Sequence, residues 1–199
     1  MAGRPKGFDR EAVLASAMEV FWVKGFAGAS IRELEEATGI GRQSLYNEFQ
    51  DKDGLFLAAI DHYDRNVTQG AIEILTGDGR PTDNIRRWLE SLINVAASHD
   101  RRGCMLTNST MCVDIADDTM RTAMKNVTAK LEKAIRSALQ QSMSEGAIAS
   151  ETNASAMATY LLGTAQGILV LGRMGNSKAA LRRVLDLSLE ALRNRTING

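Results

Sequence analysis

Residues 30–49, SIRELEEATGIGRQSLYNEF, decide the predicted fold of this chain. Ser30 is followed three residues later by Glu33, the capping-box spacing that begins a helix. The segment Gly39-Ile40-Gly41 predicts a tight turn, and a second short helix is predicted over about 42–49. Two short amphipathic helices joined by a glycine turn, with another helix before them, indicate a helix-turn-helix unit.

Helical signals also dominate the rest of the chain, and no segment alternates apolar and polar residues as a half-buried strand does. A first helix is predicted to end at Gly25. A long helix is predicted from Lys52 to about Leu75, because no proline interrupts it. A loop over 76–81 and five more helices follow. We therefore expect an all-α fold of about nine helices.

Composition excludes several classes of protein. The 199 residues include 24 Lys plus Arg and 24 Asp plus Glu, and this zero net charge argues against bulk electrostatic coating of nucleic acid. A hydrophobic share of 44% excludes a disordered chain. We identify no membrane-spanning stretch, no secretion signal and too few cysteines for a disulfide framework. A cytoplasmic protein without a membrane partner is expected.

The second short helix carries side chains suited to DNA. In a helix-turn-helix the second helix enters the major groove with its first residues facing base edges. Arg42 can bind guanine and Gln43 adenine, each through two hydrogen bonds. Tyr46, Asn47 and Lys52 stand where a phosphate can be met. Against this interpretation, such helices are common, and residues 1–52 hold seven basic and eight acidic side chains.

Residues 9–60 resemble the DNA-binding domain of the TetR family of bacterial transcriptional repressors. The resemblance rests on Ala12-Val13-Leu14, Ser16-Ala17, Phe21, Gly25-Phe26, the segments 29–34 and 37–40, and the run Leu45-Tyr46-x-x-Phe49-x-x-Lys52-x-x-Leu55. It implies residues 1–51 as an arm and helix-turn-helix domain, and 52–199 as a helical effector-binding and dimerisation domain. Helix 52–75 links the two.

The resemblance also implies roles for single residues. Ser44 matches a small polar position near the DNA backbone or a base, and Tyr46 and Lys52 match phosphate-contacting positions. Arg42 and Gln43 fall where the family varies with its operator. The arm reaches the adjacent minor groove in some members. The predicted DNA-binding set is Arg4, Lys6, Ser30, Arg42, Gln43, Ser44, Tyr46, Asn47 and Lys52.

Two residues depart from the family pattern. Glu35 stands where the family usually has a small alanine, which predicts looser or altered packing between the two short helices. Gly41 stands where a Ser or Thr usually caps the recognition helix, and losing that cap costs about a few tenths of a kcal/mol.

The second half is similar to the family in its helix lengths and in Arg102-Gly103-Cys104-Met105-Leu106-x-Asn108, which resembles the Gly-Cys-Leu-x-x-Asn stretch of one broad subgroup. The resemblance implies a small-molecule effector that binds the non-DNA conformer better than the DNA conformer. Apolar candidates indicate an apolar or aromatic effector, although such residues at helical spacing are usually plain core. The candidates are Tyr63, Trp88, Cys104, Met105, Met111, Met120, Met124 and Tyr160.

Small residues along 153–174 permit close helix approach, and with the last helix they predict half of a four-helix dimer interface. A buried central helix of a monomer is the alternative. A two-fold dimer predicts a palindromic double-stranded operator. The predicted interface residues are Leu161, Ala165, Ile168, Leu181, Val184, Leu185 and Leu192.

Neither a cofactor nor a metal site is predicted, because Cys104, Cys112 and His99 offer too few ligands. An enzyme is disfavoured, because the chain has two histidines and no glycine-rich phosphate loop after a strand. Two alternatives stay open: a helical small-molecule-binding protein that does not bind DNA, and a thiol-sensing regulator that uses Cys104.

Overall fold

The computed structural model describes residues 7–110 and 118–193, and all regular structure in those ranges is helical. Its elements are α1 Arg10–Gly28, α2 Ile31–Thr38, α3 Arg42–Phe49, α4 Lys52–Tyr63, a π-helical turn Asp64–Thr68, α5 Gln69–Thr76, α6 Pro81–Ala96, α7 Met105–Thr110, α8 Asp118–Ser144, α9 Ala154–Arg173 and α10 Lys178–Arg193. Counting α4, the π turn and α5 as one helix gives nine helices in the described ranges. The predicted all-α class is confirmed.

The long helix predicted from Lys52 runs to Thr76, but it is not α-helical throughout. A π-helical turn over Asp64–Thr68 interrupts it. Within this region the side-chain amide of Asn66 donates to the backbone carbonyl of His62 at 2.8 Å. A π turn inserts an extra residue into the helix, which hydrophobic spacing alone does not reveal.

The chain groups into two compact units, each built from two separate parts of the sequence. The first unit runs through Asn66 and takes in Met105–Met124, so it contains α1–α4, α7 and the start of α8. The second unit contains α5, α6, the rest of α8, α9 and α10. The division of function at residues 51 and 52 stays a prediction.

Aromatic side chains from α1 and α4 form the core of the first unit. The rings of Phe21 and Phe56 meet edge to face at 5.0 Å, and Phe26 lies 5.0 Å from Phe56. Trp22 packs on Tyr63 in the same way, also at 5.0 Å. These contacts hold α1 against α4, the helix that begins directly after the helix-turn-helix.

In the second unit α6 packs on α5, α9 and α10, and its buried side chains include Trp88 and Leu89. The approach of α6 and α9 is close at Gly172, where an added Cβ would stand 2.6 Å from the carbonyl oxygen of Ala96. At the other end of α6, the amide of Asn84 donates to the carbonyl of Gly77 at 2.6 Å and closes the preceding loop.

Candidate nucleic-acid interface

The helix-turn-helix forms as its local sequence predicts. Ser30 caps α2 with both bonds of a capping box: its hydroxyl accepts from the Glu33 N–H, and Glu33 accepts from the Ser30 N–H. Gly39 ends α2 in the left-handed region at φ 70°, which favours glycine. Leu45 and Phe49 turn the opposite face of α3 into the core. Exposed on α3 are Arg42, Gln43, Ser44 and Asn47.

Two side-chain pairs, each spaced four residues apart, order the exposed face of α3. The guanidinium of Arg42 lies over the ring of Tyr46, with 5.0 Å from Cζ to the centroid. The amide nitrogen of Gln43 donates to the Asn47 Oδ1 at 2.9 Å. Pairing along a helix restricts the rotamers of these four side chains before any ligand arrives.

The first turn of α3 is held from α2. Gly41 is its N-cap residue and offers no side-chain bond. Instead the Arg42 N–H donates to the Glu35 Oε1 at 2.5 Å. The two departures from the family pattern therefore meet at one place, and Glu35 alters the packing by joining α2 to α3.

Residues from α1 fix the other end of α3. Arg10 donates from Nε to the Glu48 Oε1 at 3.0 Å, and its guanidinium lies 5.4 Å from the ring centroid of Phe49. Sequence reasoning missed this contact, because 38 positions separate Arg10 from Glu48 and neither belongs to a motif.

The turn from α3 to α4 depends on an unusual backbone. Gln50 has a φ of 74°, in the region that favours glycine. Asp51 then caps α4 by accepting from the Gly54 N–H at 2.8 Å. A Cβ on Gly54 would overlap the carbonyl oxygen of Phe49, so only glycine fits there. The one sequence signal was a glycine in the first turn of a predicted helix.

Lys52 begins α4 with its ammonium 4.5 Å from the ring centroid of Phe26. Burial lowers the pKa of Lys52, and the charge of Asp53 partly opposes this shift. The contact with the ring face holds the ammonium at the start of α4 by electrostatic attraction. Its predicted phosphate contact stays a prediction. Arg4 and Lys6 of the arm lie outside the described residues.

Comparisons with known proteins match both parts of the chain. Residues 13–59 match the family described as bacterial regulatory proteins, tetR family, and residues 81–187 match the tetracyclin repressor-like C-terminal domain. The chain belongs to the TetR family. It is therefore a DNA-binding transcriptional regulator and not an enzyme.

Several TetR-family proteins are similar over nearly the whole chain. The HTH-type transcriptional repressor ComR of Escherichia coli is 30% identical over 191 residues, covering 94% of this chain and 90% of ComR. AcnR of Corynebacterium glutamicum, also a transcriptional repressor, is 25% identical over 199 residues, covering 98% of this chain and 97% of AcnR. The structure of a cysteine mutant of the regulator CifR, complexed with 26bp double-strand operator DNA, superposes with a TM-score of 0.86. The two sequences are 28% identical, and the match covers 94% of this chain and 99% of CifR.

The predicted effector contacts of this TetR-family chain fall in both compact units. Buried in the first unit are Tyr63, Met105, Met120 and Met124. The second unit contains Trp88 and Cys104, both buried, and the more exposed Tyr160. Met111 and Cys112 lie outside the described residues. No group of three or more His, Cys, Asp or Glu in residues 7–110 and 118–193 is placed to hold a metal ion.

One cleft of about 230 Å³ in the second unit has a polar rim. Arg80 pairs with Asp83 there at 2.8 Å, and apolar side chains of α10 form part of its wall. Arg86, also at the rim, pairs with Asp186 at 3.8 Å. The predicted apolar effector contacts do not line this cleft.

The predicted dimer residues of α9 and α10 are mostly covered by their own chain. Buried within one chain are Leu161, Ala165, Ile168, Leu181, Leu185 and Leu192, and Val184 is partly exposed. Burial leaves these side chains little surface to offer a partner, and their interface role stays a prediction. The exposed large apolar side chains of these two helices are Tyr160, at 42%, and Leu187, at 65%.

Helix α9 has a further property that was not expected from sequence. Ala154–Arg173 is long and apolar enough to cross a membrane, by length and composition only, and a third of its apolar window is buried. Core helices of soluble proteins pass the same test. Gly163 and Gly167, one turn apart on α9, have no atom of the described chain within 4 Å of an added Cβ.

Proposed function

We propose that this TetR-family regulator is a homodimeric repressor that a small-molecule effector releases from a palindromic operator. The exposed, ordered polar face of α3 is the observation that carries the proposal. The similar proteins ComR and AcnR are named repressors, and CifR was determined with operator DNA. A cytoplasmic location accompanies this function.

On DNA, α3 enters the major groove. Arg42 and Gln43, in the first turn, read base edges, while Ser44 contacts the backbone or a base. Tyr46 and Asn47 lie one turn further along the same helix and meet phosphates. Phosphate contacts set the position of the protein, whereas base contacts select the sequence.

Three further contacts complete the proposed interface. Lys52 binds a phosphate at the start of α4, beside N–H groups that favour an anion. Ser30 stands at the start of α2, where its exposed hydroxyl also holds the capping box. Arg4 and Lys6 of the arm reach the adjacent minor groove.

The proposed dimer forms through α9 and α10. Leu187 and Tyr160 give this surface apolar side chains, and Gly163 and Gly167 leave room for a partner helix to approach. Burying an apolar surface against a second copy also accounts for the hydropathy of α9 without a membrane. A two-fold dimer places its two recognition helices about one DNA turn apart, on two half-sites.

The proposed effector is largely apolar or aromatic and carries a hydrogen-bond acceptor. Trp88 is 1% exposed, and its indole N–H has no hydrogen-bond partner in the described chain. A buried donor without a partner costs about 1–3 kcal/mol. An effector oxygen or nitrogen that accepts a hydrogen bond from this N–H removes the cost of the unpaired donor, which favours binding. A Trp88→Phe variant should lose more affinity for effectors that carry a hydrogen-bond acceptor than for their hydrocarbon analogues.

Thiol sensing through Cys104 is the less favoured alternative. Its side chain is 6% exposed, and an inert buried thiol is the usual consequence of such burial. A regulator of this kind would lose DNA affinity on treatment with peroxide, and a Cys104→Ser variant would not. A binding protein that does not recognise DNA is separated from the repressor by the experiment below.

Fluorescence anisotropy tests the proposal with labelled DNA from upstream of the protein's own gene and its neighbours. Shuffled duplexes of the same composition are the control, and each affinity is measured over a salt series. Tight, selective and salt-dependent binding is expected. If these probes bind weakly, refolded protein is used to select from random DNA. Failure to enrich any sequence would contradict a sequence-specific regulator.

A further inference from the structure

The N-terminus of the recognition helix α3 is capped by a residue from another helix. At Gly41 the backbone has φ −71° and ψ 159°, the usual conformation of an N-cap, but there is no side chain to accept a bond. The Arg42 N–H donates to the Glu35 Oε1 at 2.5 Å, from the facing helix α2. A carboxylate at this end of a helix also meets the positive end of its dipole.

Glu35 lies in the last turn of α2, where other groups satisfy the last carbonyls of the helix. Its own backbone carbonyl accepts from the Gly39 N–H at 2.9 Å. The hydroxyl of Thr38 donates to the Leu34 carbonyl at 2.6 Å. The Glu35 carboxylate takes no part in closing this end of α2, and its hydrogen bond is to the Arg42 N–H of α3.

The other two glutamates of α2 have different partners. Glu33 binds Lys24 and Ser30, and Glu36 accepts from Arg32 at 2.9 Å along the same helix. Glu35 alone of the three is bonded to the recognition helix in the described structure.

The cap uses the backbone of Arg42 and leaves its side chain available. The guanidinium lies over Tyr46, and no carboxylate in the described ranges forms an ion pair with it. The positive charge of Arg42 thus remains directed to solvent, where DNA would bind. The bond from the Arg42 N–H to Glu35 therefore fixes the start of α3 and leaves the charge of the Arg42 side chain unpaired in the described chain and available for base reading.

We propose that Glu35 is a positioning residue for DNA recognition, which caps α3 from α2 and thereby sets the reach of Arg42 and Gln43 toward the bases. It replaces the capping hydroxyl that Gly41 lacks. This inference rests on the proposed DNA-binding role of α3, but the cap itself can be measured without DNA.

The two capping arrangements are alternatives for one helix end. A Cβ at Gly41 would lie 3.9 Å from the Glu35 Oε1, so a serine fits beside the carboxylate. In a Glu35→Ala background, Gly41→Ser supplies a hydroxyl to the next N–H groups of the first turn. The gain from Gly41→Ser is therefore larger in that background than with Glu35 present, a coupling that a double-mutant cycle measures.

The decisive comparison is Glu35→Ala against Glu35→Gln. Both remove one negative charge near the phosphates, but the glutamine keeps an oxygen that can accept from the Arg42 N–H. An effect of the lost charge alone would therefore tighten DNA binding equally in the two variants, and any difference between them reports the cap. Glu36→Ala, which removes a neighbouring charge, is a second control.

The DNA probe is a fluorescein-labelled duplex that the unmodified protein selects from random DNA, used well below the unfolding temperature. We expect Glu35→Ala to bind it about 3- to 10-fold more weakly than Glu35→Gln, a ratio of the size of one cap energy, because binding must then order the first turn of α3. Adding Gly41→Ser to Glu35→Ala restores most of this loss. Glu35→Ala also flattens the base preference at the positions that Arg42 and Gln43 read, an effect that lost stability alone would not produce.

Amide hydrogen exchange at Arg42 tests the cap directly. Its N–H is slow to exchange in the unmodified protein and faster in Glu35→Ala, with or without Gly41→Ser. Equal exchange rates in all three would overturn the cap. Equal affinities of Glu35→Ala and Glu35→Gln, with only a lower unfolding temperature for the alanine, would overturn the positioning role. A random selection that enriches no DNA would refute the regulatory function, while the exchange rates still decide the cap.

Discussion

The side-chain amide of Asn108 donates a hydrogen bond to the backbone carbonyl of Trp22 at 2.8 Å, across 86 positions of sequence. Trp22 lies just before Gly25, where α1 is interrupted at φ 68° and ψ 174°. The contact attaches α7 to α1 at this bend, within the unit that contains the helix-turn-helix.

Replacing this amide should weaken the first unit. Asn108→Ala removes a donor from a partly buried carbonyl, and we expect the free energy of unfolding to fall by about 1–3 kcal/mol. Urea unfolding followed by circular dichroism measures the change. Thr110→Ala, on the exposed surface of the same helix, is the control. Equal stability of Asn108→Ala and the unmodified protein would show that the bond contributes nothing.

Gly54 and Gly70 should respond oppositely to alanine. A Cβ at Gly54 overlaps the Phe49 carbonyl, so Gly54→Ala must shift the turn between α3 and α4, at a cost of about 1–3 kcal/mol. A Cβ added at Gly70 would meet no other part of the described chain within 4 Å, and Gly70→Ala should stabilise the helix by about 0.5–1 kcal/mol. Thermal unfolding compares the two. An unchanged midpoint for Gly54→Ala would contradict the close approach.

Base and phosphate contacts should be separable by their sequence dependence. Gln43→Ala is expected to cost about 1–3 kcal/mol, mostly at one base position of the operator. Lys52→Ala should weaken all operator variants alike and reduce the salt slope by about 1. Anisotropy with single-base variants of the selected operator measures both. A uniform loss for Gln43→Ala would argue against base reading.

Acid should destabilise the first unit partly through Glu33. Hydrogen bonds from Lys24, and then from the N–H and hydroxyl of Ser30, lower the pKa of Glu33 from 4.5 to about 2. Because the folded pKa is the lower one, its contribution is complete above pH 4.5 and disappears as the pH falls toward 2. Glu33→Gln should therefore lose less stability than the unmodified protein between pH 6 and pH 3.

The control for this pH dependence is Glu36→Gln, which removes a carboxylate from the same helix. Urea midpoints at each pH supply the measurement. Parallel curves for Glu33→Gln and the unmodified protein would show that the bonds of Glu33 do not persist in solution.

The proposed dimer can be tested on two neighbouring leucines of α10. Leu187 is exposed, so Leu187→Glu should lower the sedimentation mass from two chains to one without loss of helical circular dichroism. Leu185 is buried within its own chain, and Leu185→Glu should instead lower stability, since an unpaired charge is costly in a core. A Leu187→Glu protein that remains dimeric would show that this surface of α10 is not the dimer interface.

Local sequence was sufficient to predict the helix-turn-helix. The capping box of Ser30 and Glu33, the left-handed turn at Gly39 and the inward Leu45 and Phe49 all depend on residues within one helical turn of each other. Helix caps and apolar faces of this kind follow from residue spacing, which the sequence shows directly. The resemblance of residues 9–60 to the TetR family then implied the fold of the whole chain.

Contacts between elements could not be predicted in this way. Glu35 was recognised as a departure, but its bond to the Arg42 N–H depends on the angle at which α2 meets α3. The overlap of Gly54 with Phe49 depends likewise on how α3 meets α4. The spacing of side chains along a helix predicts which face is apolar, but it does not predict which other helix that face packs against.

The sequence by itself determined the helical class, the recognition helix and its polar side chains, because helix capping and periodicity are local properties. Only the tertiary structure decided which apolar residues of α9 and α10 the chain covers itself, leaving Leu187 exposed while Leu185 is buried. It also decided that Glu35 caps α3 and that Asn108 binds at the bend of α1. These features require side chains from separate helices to meet, and the packing of the whole unit fixes those distances.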